Sequence, residues 1–173
     1  MYDSFGRCTA MYESAHTTQQ APSAPHPLRS IYDARRRELE STPPSELLDR
    51  LTSMGFSDRE VAKVIHRAED AFERLRKTGA IDEETDFWAE RFNRQTQDRL
   101  VSFTASCEAI ATLDTVPSVS DWFRASLTPA VNYTPLDLAD KGIKLELDYA
   151  AGLCSVEEAL VLVEQWWRGM TSC

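Results

Sequence analysis

The sequence predicts an all-α protein. Over most of the chain, apolar residues recur at the spacing that places them on one face of a helix. Proline and glycine stand at the ends of these periodic segments, where helices begin and stop. A strand pattern, the alternation of apolar and polar residues, is present only at residues 143–147. Helices therefore account for the predicted core, and residues 143–147 are the single candidate strand.

Residues 1–44 are predicted to form a disordered tail. Residues 14–27 consist of Ser, Thr, Gln, Ala, His and Pro, and their prolines remove backbone hydrogen-bond donors. A segment of this composition buries too little apolar surface to offset the entropy cost of ordering. The run of arginines at 35–37 is interpreted as a solvated basic turn, with the start of a short helix that ends before Pro43 as the alternative. The tail is therefore expected to be dispensable for folding up to about residue 40.

A first helical domain is predicted over residues 45–113. Its first helix ends at Gly55, and Ser57 with Glu60 forms a capping box that starts the next. Residues 57–79 have two interpretations. One is a helix-turn-helix with its turn at 66–69, and the other is one uninterrupted helix, since no Gly or Pro marks a turn. A long helix from about residue 83 to 113 follows, with a buried apolar stripe expected at Trp88, Phe92, Leu100, Phe103, Cys107 and Ile110. Its polar middle at 93–98 allows a break.

The helix-turn-helix interpretation predicts contacts with DNA. Phosphate contacts would come from four basic residues, Arg67, Arg74, Arg76 and Lys77. Three acidic residues lie at the start of the second helix, namely Glu69, Asp70 and Glu73. The chain as a whole carries a net charge of −9, which repels phosphate. We therefore expect any DNA binding to be weak.

A second domain, residues 114–173, is predicted to be a small partner-binding module. Pro135 starts a short helix, and the last helix, residues 156–170, carries Trp166 and Trp167. An apolar stripe on this helix is expected to face the core and consists of Val156, Leu160, Val163 and Trp167. Trp166 is rotated by about 100° from Trp167. It is therefore predicted to contact a partner.

The sequence predicts no enzymatic activity and no cofactor. It contains no nucleophile elbow, no phosphate-binding glycine loop and no zinc-protease motif. The three histidines are scattered, as are four cysteines (Cys8, Cys107, Cys154 and Cys173), so metal-ligand spacing is absent. No apolar run approaches membrane-spanning length. Free thiols in a reducing cytoplasm are the expected state, with a single disulfide as the alternative.

The order of motifs resembles a known family. Trp122 is followed by Thr-Pro-Leu-Asp-Leu at 134–138, which contains Pro135, Asp137 and Leu138, and then by Gly142. Together with residues 56–62 and the helix at 99–111, this order resembles the Xre/MbcA/ParS antitoxins, the partners of RES-domain toxins that consume NAD. The resemblance covers roughly residues 45–170 and rests on short motifs. Residues 143–155 form a stretch that the family pattern lacks.

The resemblance implies an antitoxin that binds its cognate toxin as a homo-oligomer and occludes the toxin's active site. The expected toxin-binding residues are Trp166, Trp167, Arg168 and Met170. Autoregulatory binding to operator DNA stays open as an additional activity. Two other functions also stay open: a DNA-binding regulator whose C-terminal domain only dimerises, and an acidic helical chaperone or adaptor.

Overall fold

The computed structural model describes residues 26–79, 87–130, 132–140 and 144–171. Within these ranges the chain forms nine helices and no β-strand, which confirms the all-α class. In chain order they are α1 (Pro27–Leu39), α2 (Pro44–Ser53), α3 (Asp58–Ile65), α4 (Asp70–Thr78), α5 (Phe87–Ile110), α6 (Val119–Arg124), α7 (Pro135–Asp140), α8 (Leu145–Ala150) and α9 (Val156–Thr171).

Helix α5 is the central element, and α1, α2, α3 and α8 all pack on it. Its predicted apolar stripe is confirmed at Leu100, Phe103, Cys107 and Ile110, which are buried. The polar stretch at 93–98 does not break the helix. The side chains of Trp88 and Phe92 lie outside the described part of the chain. We call the buried side chains around α5 the main core; its larger members include Leu47, Phe56, Phe72, Leu100, Phe103, Ile110 and Phe123.

Helix α1 belongs to the fold. His26 caps it, because the imidazole Nδ1 accepts a hydrogen bond from the backbone N–H of Leu28 at 3.1 Å. Leu28, Tyr32 and Leu39 are buried in the main core. The surrounding Arg and Glu residues face solvent, so the helix is amphipathic with a narrow apolar face.

The prediction of a disordered tail over residues 1–44 is therefore wrong for residues 27–39 and for Pro44, which starts α2. Residues 1–25 lie outside the described ranges. Charged residues dominate the composition of α1, and this suggested a solvated segment. Its few apolar residues are stabilised by α5, which is remote in sequence, so local composition could not reveal them.

Helices α3 and α4 are separated by a break, as the helix-turn-helix interpretation predicts. The capping box is confirmed: the Ser57 N–H donates to Glu60 Oε2 at 2.8 Å, and the Glu60 N–H donates to Ser57 Oγ at 3.3 Å. His66 ends α3 in the left-handed conformation, with φ 57° and ψ 46°. The alternative of one uninterrupted helix is therefore wrong. The sequence does not show this break by a glycine, because His66 itself adopts the left-handed conformation that glycine usually adopts at a helix end.

Three phenylalanine rings meet inside the main core. The centroid of Phe103 lies 5.2 Å from that of Phe56 and 5.4 Å from that of Phe123, and all three pairs are edge-to-face. The rings come from α5, the α2–α3 loop and α6. Close approach of that loop to α6 needs Gly55, which has φ +100° and where a Cβ would lie 2.7 Å from Oγ of Ser120.

Helix α7 connects the main core to a second, smaller group of buried side chains. Leu136 and Ala139 belong to the main core, whereas Leu138 faces the other group. We call this group the C-terminal cluster; it consists of Leu127, Leu138, Leu145, Cys154, Ala159 and Val163. The main core itself contains residues from both sides of the boundary predicted at 113/114. The division into separate domains 45–113 and 114–173 stays a prediction.

The candidate strand at 143–147 is wrong for its described residues, because α8 begins at Leu145. The alternation predicted a solvent-facing Glu146 between two buried leucines. Instead, Leu145 packs in the C-terminal cluster, Leu147 packs in the main core, and Glu146 is 1% exposed. Its Oε1 accepts a hydrogen bond from Oγ of Ser106 at 2.9 Å. Because Glu146 is buried together with Leu145 and Leu147, these residues lack the alternation of buried and exposed side chains that a strand would show.

A charged pair joins α3 to α6. Arg124 Nη2 donates to Glu60 Oε2 at 2.9 Å and also to the carbonyl oxygen of Gly55. The hydrogen bond from Arg124, supported by that from Ser57, lowers the pKa of Glu60 from 4.5 to about 2. Through these contacts, Arg124 links α3 and α6 to the backbone of the loop that carries Phe56.

We expect Tyr32→Ala to lower the free energy of unfolding by on the order of 3 kcal/mol, because it removes a large buried side chain between α1 and α5. Arg37→Ala, at an exposed position of the same helix, should leave it nearly unchanged. Urea denaturation of the full chain measures both. A Tyr32→Ala midpoint equal to that of the wild type would show that α1 does not contribute to the fold.

Glu60→Gln keeps a capping-box residue at its position but removes the charge that pairs with Arg124. A carboxylate with a lowered folded-state pKa stabilises the protein above its unfolded value of 4.5 and loses this effect as the pH falls toward 2. We expect a loss of roughly 1–2 kcal/mol at neutral pH, since the exposed Arg124 is partly screened by water. Unfolding followed from pH 7 to pH 2 should show a flatter dependence in the variant.

The control for this experiment is Glu73→Gln, whose partner Lys77 is exposed. It should leave both the midpoint and its pH dependence nearly unchanged. Equal effects of the two substitutions would contradict a specific role for the Glu60–Arg124 pair.

Candidate partner-binding surface

Helix α9 presents two faces of different character. Ala159 and Val163 are buried, and Val156 and Leu160 are half-buried against the C-terminal cluster. The predicted stripe is thus confirmed at Val156, Leu160 and Val163. The side chain of Trp167 lies outside the described residues. This face holds the helix on α7 and α8.

An apolar groove lies between the opposite face of α9, α8 and the loop between them. Among the described residues, the large hydrophobic side chains with high exposure all line it: Leu153 is 61% exposed, Val161 52% and Leu162 39%. We call this the α8–α9 groove; it is open to solvent, has a volume of about 680 Å³ and is lined by Leu145, Asp148, Leu153, Cys154, Glu157, Glu158, Val161, Leu162 and Gln165. Exposed apolar side chains that cluster in one groove mark it as a candidate binding site.

Cys154 contributes to the apolar lining of the α8–α9 groove. Burial raises the pKa of its thiol, and the carboxylates of Glu158 and Asp148 raise it further. The thiol is therefore protonated at neutral pH and behaves as a small apolar group. Cys154 and the buried Cys107 are both free, as predicted, whereas Cys8 and Cys173 lie outside the described residues.

The charged side chains that line the α8–α9 groove are acidic. Asp148 pairs with Arg29 of α1 at 3.2 Å, and Glu158 accepts a hydrogen bond from the N–H of Ser155 at 2.9 Å. Glu157 is exposed and has no ion-pair partner in the described part of the chain. The groove thus combines an apolar lining with a negatively charged rim.

Two of the four predicted toxin-binding residues lie beside this groove. Arg168 is exposed on α9, and Trp166 is half-buried. At about 100° per residue, Trp166 falls between Ala159 of the buried face and Leu162 of the groove face. The side chains of Trp167 and Met170 lie outside the described part of the chain. Trp166 is therefore shared between the core and the groove rather than directed fully away from the core.

The exposed apolar residues of the groove were not predicted from the sequence as binding residues. Leu162 lies outside the apolar stripe predicted to face the core, and no sequence motif marks Val161 or Leu153. A usable signal was present, since Val161 and Leu162 are apolar at positions that the stripe on α9 leaves to solvent. Leu153 follows a turn at Gly152, where an apolar side chain is not required for folding.

The described residues of the motif at 134–138 serve mainly to position α7. Pro135 begins this helix, and Leu138 is completely buried in the C-terminal cluster. Asp137 Oδ2 accepts a hydrogen bond from the N–H of Thr134 at 2.8 Å, and Oδ1 pairs with Lys63 of α3. Burial opposes the charged form, yet these partners hold the pKa of Asp137 below its usual value.

The predicted motif also includes Trp122 and Gly142. Trp122 is half-buried against the main core, with its ring centroid 6.0 Å from that of Tyr149 in α8. Gly142 lies outside the described residues. The described residues of the motif therefore connect α3, α6, α7 and α8, and thereby set the position of α9 indirectly.

The basic residues predicted to contact DNA all have acidic or hydroxyl partners. Arg67 Nε donates to Thr96 Oγ1 at 2.8 Å, and Arg76 Nη2 donates to Asp58 Oδ1 at 2.8 Å. Arg74 forms an ion pair with Asp70 at 3.5 Å, and Lys77 forms one with Glu73 at 2.7 Å. The hydrogen bond from Arg76 lowers the pKa of Asp58. Phosphate groups would have to compete with these carboxylates.

Neither a metal centre nor a membrane-spanning helix is found in the described ranges. No group of three or more His, Cys, Asp and Glu side chains there could hold a metal ion. The helices within those ranges are also too short or too polar to cross a membrane. Comparison with models of protein families, with curated proteins and with solved structures found no match.

Proposed function

We propose that this chain is an antitoxin that binds a RES-type, NAD-consuming toxin and occludes its active site. The observation that supports this function is the exposed apolar surface of Leu153, Val161 and Leu162. It lies in the same C-terminal region as the motif that resembles the toxin-binding domain of Xre/MbcA/ParS antitoxins. Neutralisation by occlusion requires an apolar anchor that is buried on binding, and this surface provides one.

The proposed mechanism is steric and needs no chemistry from the antitoxin. Helix α9 is attached through α7 and α8 by one face, so its other face can cover the cleft of a toxin. Trp166, at the border of the two faces, would be a rigid anchor in such an interface. We place this action in the cytoplasm and expect the complex to contain more than one copy of the chain.

A second activity, binding to operator DNA, is favoured by the break between α3 and α4. Two short helices joined by a tight turn are the unit with which many regulators enter the major groove. The ion pairs of the basic residues on α4 argue for low affinity. We therefore propose DNA binding as a weaker activity that accompanies binding to the toxin.

Trp166→Ala should weaken toxin binding by roughly 2 kcal/mol, or about 30-fold, because it removes an aromatic anchor. The assay is co-expression with the products of the genes adjacent to this one, with growth and cellular NAD as readouts and calorimetry for affinity. Val163→Ala, at a buried position of the same helix, should instead lower the denaturation midpoint. Absence of any complex with these gene products would reject the antitoxin function and leave the regulator or the adaptor.

The double variant Asp70→Asn/Glu73→Gln should bind duplex DNA several-fold more tightly than the wild type. It removes the two negative charges that lie beside Arg74 and Lys77 on α4. Fluorescence anisotropy with the promoter of the gene, over a range of salt concentrations, measures affinity and slope. The matched control is Asp33→Asn/Glu38→Gln on α1, and an equal gain there would show a general charge effect instead of a site on α4.

A further inference from the structure

The apolar lining of the α8–α9 groove is better explained by a partner than by folding. Single exposed apolar side chains are common on protein surfaces. Here, however, Leu153, Val161 and Leu162 converge on one groove together with Leu145 and Cys154. Their exposed area is not needed to hold α9, which is attached through its other face.

The shape of the groove suits a short helix. The residues of α9 that line it recur from position 157 to position 165, with members one turn apart. At 1.5 Å per residue, they form a face about 12 Å long, which matches two turns of a partner helix. A partner helix with apolar side chains at i, i+3, i+4 and i+7 presents a complementary stripe.

The negative charge of the groove rim distinguishes between three candidate occupants: a second copy of the chain, an anionic membrane and a basic helical segment. The charged rim of the groove consists of Asp148, Glu157 and Glu158, and the whole chain carries a net charge of −9. Asp148 is already paired with Arg29, so among the described residues Glu157 and Glu158 supply the uncompensated negative charge of the rim. A second copy docked groove to groove would bring these carboxylates together, and an anionic membrane would repel them. A segment with Lys or Arg beside its apolar stripe is attracted instead.

We propose that the α8–α9 groove binds a basic amphipathic helix of the partner protein, whose apolar stripe covers Leu153, Val161 and Leu162. Its flanking Lys and Arg side chains face Glu157 and Glu158. This inference rests on the proposed function only for the identity of the partner, a toxin. The chemistry of the bound segment is independent of that identity.

Designed peptides test this chemistry on the full-length chain without the toxin. One peptide carries a leucine stripe flanked by lysines, a second carries the same stripe flanked by glutamates, and a third is a scrambled form of the first with its leucines dispersed. Binding is followed by calorimetry and by NMR shifts of leucine and valine methyl groups. The first peptide should bind and shift the methyl signals of Leu153, Val161 and Leu162, and binding should weaken with added salt.

Two variants of the chain locate the site. Leu153→Ser/Val161→Ser should abolish binding of the basic peptide while leaving the denaturation midpoint nearly unchanged, because both residues are more than half exposed. Glu157→Lys should weaken binding by about tenfold through loss of rim charge. Glu40→Lys, at the exposed end of α1, makes the same change in net charge and should have little effect.

Equal binding of the acidic or the scrambled peptide would overturn the inference, as would full binding by the double serine variant. The outcomes of the toxin experiment and of the peptide experiment are independent of each other. A chain that binds the basic peptide but no neighbouring toxin keeps the groove chemistry and loses the antitoxin function. A toxin neutralised equally by the wild type and the double serine variant keeps the antitoxin function and rejects the groove.

Discussion

The edge-to-face packing of Phe103 against Phe56 and Phe123 is the contact on which the rest of the fold depends. It joins the central helix α5 to a loop and to a short helix that carry little stability of their own. The loop is held from both sides, since Phe56 is fixed inside the core and Arg124 bonds to the carbonyl of Gly55 outside it. Because Gly55 has no side chain, α6 can approach closely enough for the rings to meet.

Helix α7 connects this central contact to the C-terminal part of the chain. One face of this six-residue helix packs in the main core, and Leu138 on its other face packs in the C-terminal cluster. Helix α9 is held by that smaller cluster, so it rests on fewer buried side chains than α5 does. A peripheral helix of this kind opens locally more readily than the core. A partner that covers its second face would stabilise it by mass action.

Local signals in the sequence predicted most of the helix ends. The capping box of Ser57 and Glu60, the proline that starts α7 and the glycine with φ 74° at the end of α4 all act over a few residues. Features that depend on remote contacts could not be predicted in this way. Helix α1 needs the surface of α5, and α8 needs Ser106 as a hydrogen-bond partner for buried Glu146. The turn at His66 lacks the glycine that usually marks it.

For the candidate surface, the sequence predicted binding residues on α9, but it did not predict the exposed side chains that line the groove. Periodicity separated the buried face of α9 from its remainder, yet it could not show that the α8–α9 loop adds Leu153 to form a groove. Electrostatics then connects the two proposed activities. The acidic chain repels DNA, and a basic partner in the groove would reduce that repulsion. Because coupling between binding sites is reciprocal, DNA would in turn strengthen binding of the basic partner by the same factor. At low ionic strength, the acidic rim can thus influence DNA affinity without any change in the fold.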